Sequence, residues 1–168
     1  MLYYVTGGER SGKSSYAQNL ALELSQAPYY LATSRIWDGN HRKRIDRHIA
    51  DRDDRWTSIE EEKEIAKVIT TGSVVVIDCV TLWLTNFFVD TKNDVSQSLT
   101  LAKQEFDKLL QINATIIIIS NEIGMGVHAT TEIGRKFTEL QGWMNQHIAK
   151  HADKAILMVS GIPVEIKS

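Results

Sequence analysis

The segment from Gly7 to Ser14, which reads GGERSGKS, constrains this chain more than any other feature. It matches the pattern G-x-x-x-x-G-K-[ST], whose outer glycines let successive backbone N–H groups turn inward around a phosphate. Lys13 is then expected to reach the β- and γ-phosphates, and the Ser14 hydroxyl to bind Mg²⁺. The alternative is an ordinary glycine-rich turn. The apolar run before the segment and the helical pattern after it favour a phosphate-binding loop, or P-loop, because the helix dipole attracts anions.

Composition indicates a globular protein. A chain of 168 residues with 43% hydrophobic content can bury the core of one domain, here residues 1–168. The net charge of −2 gives no general attraction to nucleic acid or to an anionic membrane. Cys79 is the only cysteine, no signal-peptide pattern is visible, and the apolar runs are much shorter than the ~20 residues of a membrane span. We therefore expect a cytoplasmic protein that neither crosses a membrane nor binds nucleic acid.

Strand and helix patterns alternate along the chain and predict a doubly wound α/β fold of the P-loop NTPase type. The sheet should be mostly parallel, with helices on both faces and a short edge strand at the C-terminus. Strands are predicted at 2–5, 29–33, 73–78, 115–120, 155–159 and 164–167. Helices are predicted at 13–27, 60–70, 81–89, 96–111 and from Thr130 or Thr131 to about Lys150, the segment 81–89 being a helix or turn that covers the sheet or meets another subunit.

The carboxyl ends of the strands should form the ligand-binding edge of this sheet. The pair Thr33-Ser34, Asp78 and the pair Asn121-Glu122 all follow predicted strands, so we expect them near the P-loop. Asp78 ends a run of β-branched residues, which is the place of a Walker B carboxylate that holds Mg²⁺ directly or through water. An aspartate that merely ends a strand is the alternative. Together with the P-loop, Asp78 favours a site for a nucleoside triphosphate with Mg²⁺.

The segment 35–55 has a different composition, with seven Lys or Arg residues and five Asp residues. Ile45 and Ile49 are four apart, which predicts a helix with a narrow apolar stripe. Its other face would be electropositive through Arg44, Arg47, His48 and Arg52. The charge pattern alone favours a solvated, salt-bridged surface helix instead. Trp56 ends the segment and is expected to pack against the core.

Two histidines, His147 and His151, are four apart on the last predicted helix. This spacing can bind a metal, but the sequence offers no third ligand, so solvated positions are favoured. Cys79 is interpreted as a small buried apolar residue.

Five motifs in order resemble one family, the bifunctional adenosylcobinamide kinase / adenosylcobinamide-phosphate guanylyltransferases of cobalamin synthesis. The similarity runs nearly end to end and also includes Asn145-Gln146 and the segment from Val159 to Pro163. The five motifs are GGERSGKS from Gly7, Ala32-Thr33-Ser34, R-I-x-x-H-x-x-x-R-x-x-x-W from Arg44, DCVTLWLTN from Asp78, and NEIGMG from Asn121.

The resemblance implies two reactions. In the first, ATP or GTP gives its γ-phosphoryl group to the aminopropanol hydroxyl of adenosylcobinamide. In the second, a histidine attacks the α-phosphorus of GTP, releases pyrophosphate and passes GMP to the cobinamide phosphate. The family's nucleophile is the histidine of R-I-x-x-H, here His48. A homotrimer is also implied, with apolar surface such as Leu82 to Phe88 as a candidate contact.

The family's site residues can be placed on this sequence one by one. Catalytic roles fall on His48 and Lys13, and the Mg²⁺ ligands on Ser14 and Asp78. Nucleotide contacts fall on Gly7, Gly8, Glu9, Arg10, Ser11, Gly12, Lys13, Ser14, Ala32, Thr33, Ser34, Ile49, Ala50, Asp51, Arg52, Glu60 and Asp78. Glu60 could accept hydrogen bonds from a guanine edge, although the acidic run around it favours a solvated helix residue.

His48 is chosen by the resemblance, since chemistry alone leaves His41, His128, His147 and His151 as rivals. A neutral imidazole is a competent nucleophile near pH 7. Three positions depart from the family pattern: Arg47, Ser58 and His128. Arg47 either lowers the pKa of His48 or only binds phosphate. A monofunctional P-loop kinase and a non-catalytic nucleotide-dependent switch are the alternative functions.

Overall fold

The computed structural model describes residues 1–35 and 53–168, so most of the predicted basic helix lies outside the described residues. The strands are β1 (Leu2–Gly7), β2 (Tyr29–Ala32), β3 (Thr57–Glu60), β4 (Val74–Asp78), β5 (Thr115–Asn121), β6 (Lys154–Val159) and β7 (Ile162–Lys167). The helices are α1 (Lys13–Leu24), α2 (Val80–Asp90), α3 (Val95–Leu109) and α4 (Glu132–His151), with a 3₁₀ helix at Ile65–Val68. None of the helices in the described ranges is long and apolar enough to cross a bilayer.

The strands form one sheet in the order β3-β2-β4-β5-β1-β6-β7. Every pair is parallel except β6 and β7, which are antiparallel. The predicted α/β fold with a C-terminal edge strand is therefore confirmed. Strand β5 lies between β1, which leads into the P-loop, and β4, which ends in Asp78. The valines and isoleucines of β4 and β5 are buried, as expected for central strands covered on both faces.

Two hydrophobic clusters cover the two faces of the sheet. Tyr4 and Ile118 point toward α2, α3 and α4, whereas the adjacent residues Val5 and Ile119 point toward α1. Each large side chain that is fully buried contributes about 1.5–3 kcal/mol to folding. The predicted packing of Trp56 is confirmed, since its ring meets Tyr30 edge-on with centroids 6.0 Å apart.

Helix α2 covers the sheet, which was one of the two interpretations of segment 81–89. Trp83 and Leu84 are fully buried, and Phe87 and Phe88 are nearly so. The indole Nε1 of Trp83 donates to the carbonyl oxygen of Lys63 at 3.0 Å. Most of the apolar side chains of Leu82 to Phe88 therefore belong to the core, with Leu82 half-buried, and little apolar surface is left there. The contact of this stretch with another subunit stays a prediction.

The predicted helix over 60–70 is also wrong. Strand β3 extends to Glu60 and pairs in parallel with β2, and only a short 3₁₀ turn follows. The physical reason is the Glu61 carboxylate, whose Oε1 accepts from the backbone N–H groups of Lys63 and Glu64 at 3.0 Å each. This cap closes a tight turn where the acidic run suggested the first turn of a helix.

The ends of other elements differ from the predictions by a few residues. Helix α1 ends at Leu24, before the predicted end at residue 27, because Ser25 is already extended. Of the two candidate caps of α4, Thr131 is the one used, and its hydroxyl accepts from the Gly134 N–H at 3.0 Å. Strand β7 begins at Ile162 and includes Pro163, which an edge strand tolerates.

Cys79 is 6% exposed, as the sequence suggested, and burial raises the pKa of its thiol to about 12. Because the thiolate is the reactive form, we expect iodoacetamide to leave the native protein unmodified at mildly alkaline pH. The same reagent should alkylate one thiol per chain in guanidinium chloride. Mass spectrometry measures the extent of alkylation under both conditions. Stoichiometric alkylation of the native protein would contradict the burial of Cys79.

Candidate nucleotide-binding site

The P-loop joins β1 to α1 and depends on two glycines. Gly7 has φ 151° and Gly12 has φ 95°. A Cβ atom on Gly7 would lie 2.6 Å from the Met158 carbonyl oxygen, and one on Gly12 would lie 3.2 Å from the Gly161 Cα. Side chains are therefore excluded by close approach at Gly7 and by backbone conformation and crowding at Gly12. The loop leads into the N-terminus of α1, where backbone N–H groups can bind an anion.

Lys13 is buried, and its ammonium group lies inside the loop. The Nζ atom donates to the Gly8 carbonyl oxygen at 2.5 Å and to the Ser11 hydroxyl at 3.4 Å. Burial lowers the pKa of Lys13, although the negative groups of Asp78 and Glu9 oppose that effect. A bound triphosphate would compensate the desolvated positive charge directly.

Ser14 and Asp78 meet across the sheet edge, as the metal-site prediction requires. The Ser14 hydroxyl donates to Asp78 Oδ2 at 3.2 Å, and the Tyr30 hydroxyl donates to the same oxygen. Adjacent ligands of an octahedral Mg²⁺ at ~2.1 Å lie about 3 Å apart, so the two oxygens fit one ion. Residues 1–35 and 53–168 contain no cluster of three or more His, Cys, Asp or Glu side chains that could hold a metal. Phosphate and water would therefore complete the coordination, as Mg²⁺ prefers.

The loop after β5 lies beside the P-loop, as predicted. Asn121 is in register with Gly7, and the Glu122 N–H donates to the Gly7 carbonyl oxygen at 2.9 Å. The Asn121 Nδ2 donates to the Thr81 hydroxyl at 3.1 Å, which connects this loop to the start of α2. Asn121 and Asp78 thus lie on the same side of the P-loop, at the ends of the neighbouring strands β5 and β4.

Asn145 lies in one of the segments that resemble the family, and its side chain holds the end of β5 from the α4 side. Its Nδ2 donates to the Asn121 carbonyl oxygen at 3.2 Å, and its Oδ1 accepts from the Ser120 hydroxyl at 2.6 Å. Gln141 donates to Ser120 at 2.9 Å. Gln141, Tyr30 and Thr81 were not predicted as site residues, because only the packing of helix on sheet reveals their partners. The visible signals were the four-residue spacing of Gln141 and Asn145 and the place of Thr81 in the motif from Asp78.

Thr33 is fully buried, and each of its polar groups has a protein partner. Its hydroxyl donates to the Cys79 carbonyl oxygen at 2.8 Å and accepts from the Cys79 N–H at 3.0 Å. Its backbone N–H donates to the Asp78 carbonyl oxygen, and its own carbonyl oxygen accepts from Asn86 Nδ2. Thr33 therefore holds the ends of β2 and β4 together, and its predicted nucleotide contact stays a prediction.

The other predicted nucleotide contacts that the structure describes lie further along the carboxyl edge of the sheet. Ala32, Ser34 and Glu60 belong to the β2–β3 side, which β4 and β5 separate from β1 by three strand spacings, or about 14 Å. Ser34 and Glu60 line a cavity of about 830 Å³ whose wall also includes the turn 61–64, the end of α2 and one face of α3. The described site residues thus form two groups along the carboxyl edge of the sheet. One group is the P-loop with Asp78, and the other lies beside the cavity at the ends of β2 and β3.

Several charged side chains beside this cavity form ion pairs with one another. The Arg35 Nε lies 2.7 Å from Glu62 Oε2, and its NH1 lies 2.9 Å from Asp90 Oδ1. Lys63 Nζ also contacts Asp90, at 2.6 Å from Oδ2. Arg35 and Lys63 together hold the pKa of Asp90 well below its usual range. This network fixes the chain at Arg35, the first residue of the basic segment 35–55.

Several predicted residues cannot be placed. His48 and the contacts Ile49, Ala50, Asp51 and Arg52 lie outside the described residues, as does the rival His41. His147 is half-buried against Phe106, with Nε2 3.2 Å from Asp107 Oδ1, so it is not the solvated residue that was expected. Burial lowers its pKa.

We expect Thr33→Val to destabilise the fold by about 1–3 kcal/mol, since it leaves buried backbone groups of Cys79 without their partner. Thr33→Ser is the matched control, because it keeps the hydroxyl and should cost less. Urea unfolding, monitored by tryptophan fluorescence, measures the free energy of unfolding of both variants. Equal stabilities of the two variants would show that the hydroxyl does not join β2 to β4.

A solved structure has a similar fold. The chain is similar to an ATPase from the type III secretion system of pathogenic bacteria, with a TM-score of 0.51 and 10% identity. That similarity covers 93% of this chain and 50% of the other. At this identity the likeness concerns the fold alone.

Curated relatives are similar over nearly their whole length. The bifunctional adenosylcobalamin biosynthesis protein CobP of Pseudomonas aeruginosa is 34% identical over 168 residues, covering 97% of this chain and 95% of the relative. CobU of Escherichia coli K12, with the same description, is 33% identical over 182 residues, covering 99% and 100%. Residues 3–166 match the family model described as cobinamide kinase / cobinamide phosphate guanyltransferase. The chain belongs to the cobinamide kinase / cobinamide phosphate guanyltransferase family.

Proposed function

We propose that this protein phosphorylates adenosylcobinamide with ATP or GTP and then converts the product to adenosylcobinamide-GDP with GTP. The observation that carries the proposal is a P-loop whose Ser14 meets the Asp78 carboxylate, in a chain of this transferase family. The relatives are named as bifunctional enzymes of adenosylcobalamin biosynthesis, which supports both activities in one chain. One domain, residues 1–168, would carry both reactions.

In the kinase step the P-loop residues from Gly7 to Ser14 bind the triphosphate. Lys13 neutralises charge on the β- and γ-phosphates as the γ-phosphoryl group moves to the substrate hydroxyl. Ser14 and Asp78 would hold Mg²⁺, which supplies further neutralisation of phosphate charge when bound. Tyr30 keeps the Asp78 carboxylate turned toward Ser14.

In the guanylyl step His48 is the nucleophile. A neutral imidazole nitrogen attacks the α-phosphorus of GTP, a P–N bond forms, and the bond to pyrophosphate breaks. An oxygen of the cobinamide phosphate then attacks the same phosphorus and the P–N bond breaks, so GMP is transferred and the imidazole is regenerated. Arg44, Arg47 and Arg52 lie within four residues of His48 in sequence and offer positive charge to the transferring group.

Substrate contacts beyond the P-loop are proposed for the β2–β3 side. Glu60 would accept from the guanine edge, and Ala32 to Ser34 and Ile49 to Arg52 would contact the nucleotide. Support comes from the cavity of about 830 Å³ that Ser34 and Glu60 line, a size usual for small-molecule sites.

We also propose a cytoplasmic homotrimer. Strand β7 supports association between subunits, because Ile162, Val164 and Ile166 are 65%, 44% and 56% exposed. Within the described chain β7 pairs only with β6, so its outer edge can accept another strand or packed surface.

Labelling with α-³²P-GTP tests the guanylyl step. The wild type should acquire an acid-labile, base-stable label, and His48→Asn should lose it while still phosphorylating cobinamide. His151→Asn is the matched control, since His151 is an exposed histidine on α4, and it should keep the label. An unlabelled wild type that retains kinase activity would favour a monofunctional kinase. Failure to turn over any nucleotide with cobinamide present would favour a switch.

The Tyr30→Phe variant tests the metal site. It removes the hydroxyl that donates to Asp78 but keeps the ring packed on Trp56. Because such outer contacts orient metal ligands, half-maximal kinase activity should require about tenfold more Mg²⁺. Tyr29→Phe, at the neighbouring position, should leave the Mg²⁺ requirement unchanged. The same Mg²⁺ titration curve for both variants would refute the role of Tyr30.

A further inference from the structure

The P-loop rests on the turn between β6 and β7. The Gly161 N–H donates to the Ser11 carbonyl oxygen at 2.9 Å. This turn has two residues, Ser160 with φ 51° and Gly161 with φ 83°. Positive φ at both positions is typical of the tightest hairpin turns, whose geometry leaves little freedom. A rigid turn therefore holds one specific carbonyl group of the P-loop.

The orientation of the Ser11 carbonyl group determines the orientation of the Gly12 N–H group. In a trans peptide unit the C=O and the following N–H point in opposite directions. The Ser11-Gly12 peptide unit is trans. When Gly161 holds the Ser11 oxygen, the Gly12 N–H is turned to the opposite side, away from the hairpin. Gly12 caps α1, where inward N–H groups bind phosphate.

Close packing supports this interpretation. A Cβ atom on Gly12 would lie 3.2 Å from the Gly161 Cα, so the turn and the loop touch along their backbones. Met158 of β6 is in register with Gly7 at the start of the loop. The P-loop is thus held at both ends by one hairpin, through the sheet at Gly7 and through the turn at Ser11 and Gly12.

We propose that Gly161 is a positioning residue for nucleotide binding, which orients the Ser11-Gly12 peptide so that its N–H faces the phosphates. This inference rests on the proposed function only in requiring that the P-loop binds a nucleoside triphosphate. It concerns the affinity for nucleotide and not the corrinoid substrate or the histidine step.

Gly72 provides a matched control for testing this proposal. It also has φ 83° and open space for a methyl group, and its N–H also donates to a backbone carbonyl, that of Asn113 at 2.7 Å. It precedes β4, at the opposite end of the sheet from the P-loop. Gly161→Ala and Gly72→Ala therefore introduce the same backbone strain at two turns, of which only one contacts the P-loop.

Both variants should lose similar stability in thermal unfolding. Only Gly161→Ala should raise the Kd for GTP in calorimetric titration and the nucleotide KM of the kinase reaction, each about tenfold, the effect of one misplaced hydrogen bond. The KM for cobinamide should stay unchanged. Gly161→Asn, whose side chain tolerates positive φ, should restore most of the affinity.

Equal Kd values for the two alanine variants would overturn the proposal, as would a wild type that binds no nucleotide. If Gly161→Ala does not fold, Gly161→Asn decides: wild-type affinity supports the proposal, and weakened binding at native stability overturns it. Because the titration needs no turnover, a wild type that binds GTP without any transfer would refute the proposed function alone.

Discussion

The close contact between the P-loop and strand β6 with its turn is the constraint on which the site depends. The glycines of a loop that binds phosphate through backbone N–H groups have no side chains that could hold their conformation, so a neighbouring element must hold it. Here the Met158 carbonyl oxygen lies only 2.6 Å from the position of a Cβ on Gly7, and the Gly161 Cα lies 3.2 Å from the position of a Cβ on Gly12. The glycines of the motif are therefore required by the neighbouring hairpin as well as by the phosphate.

The strand order explains how the metal ligands meet. Strand β5 separates β1 from β4, so Asp78 lies about two strand spacings, or ~10 Å, from the end of β1. Helix α1 packs over β4 and β5, and its first turn carries Ser14 across that gap to Asp78. Polar residues at the end of β5 and in the loop after it lie between Ser14 and Asp78 on one side and β1 on the other. The Asn121 side chain donates to Thr81, and the Glu122 backbone N–H donates to the Gly7 carbonyl oxygen.

Buried polar groups connect this edge to the helices behind it. Thr33 joins β2 to β4, Asn86 joins α2 to Thr33, and Asn145 joins α4 to the end of β5. Each bond is made inside the core, where an unpaired polar group is costly, so these residues specify one arrangement of strand ends. The ion pairs of Arg35 fix the β2 side similarly, although their exposure weakens them. The edge is thus held rigid on both sides of the site.

The sequence by itself determined the α/β fold, the P-loop and the grouping of Asp78 and Asn121 with it, because strand and helix periodicity and strand ends are local properties. It missed β3, where Glu61 caps a turn that composition could not distinguish from a helix start. It also missed Tyr30, Thr81 and Gln141. Only the tertiary structure decided these partners, and the support of the P-loop by Gly161, since each depends on which residues from distant parts of the chain the packing brings within hydrogen-bond distance.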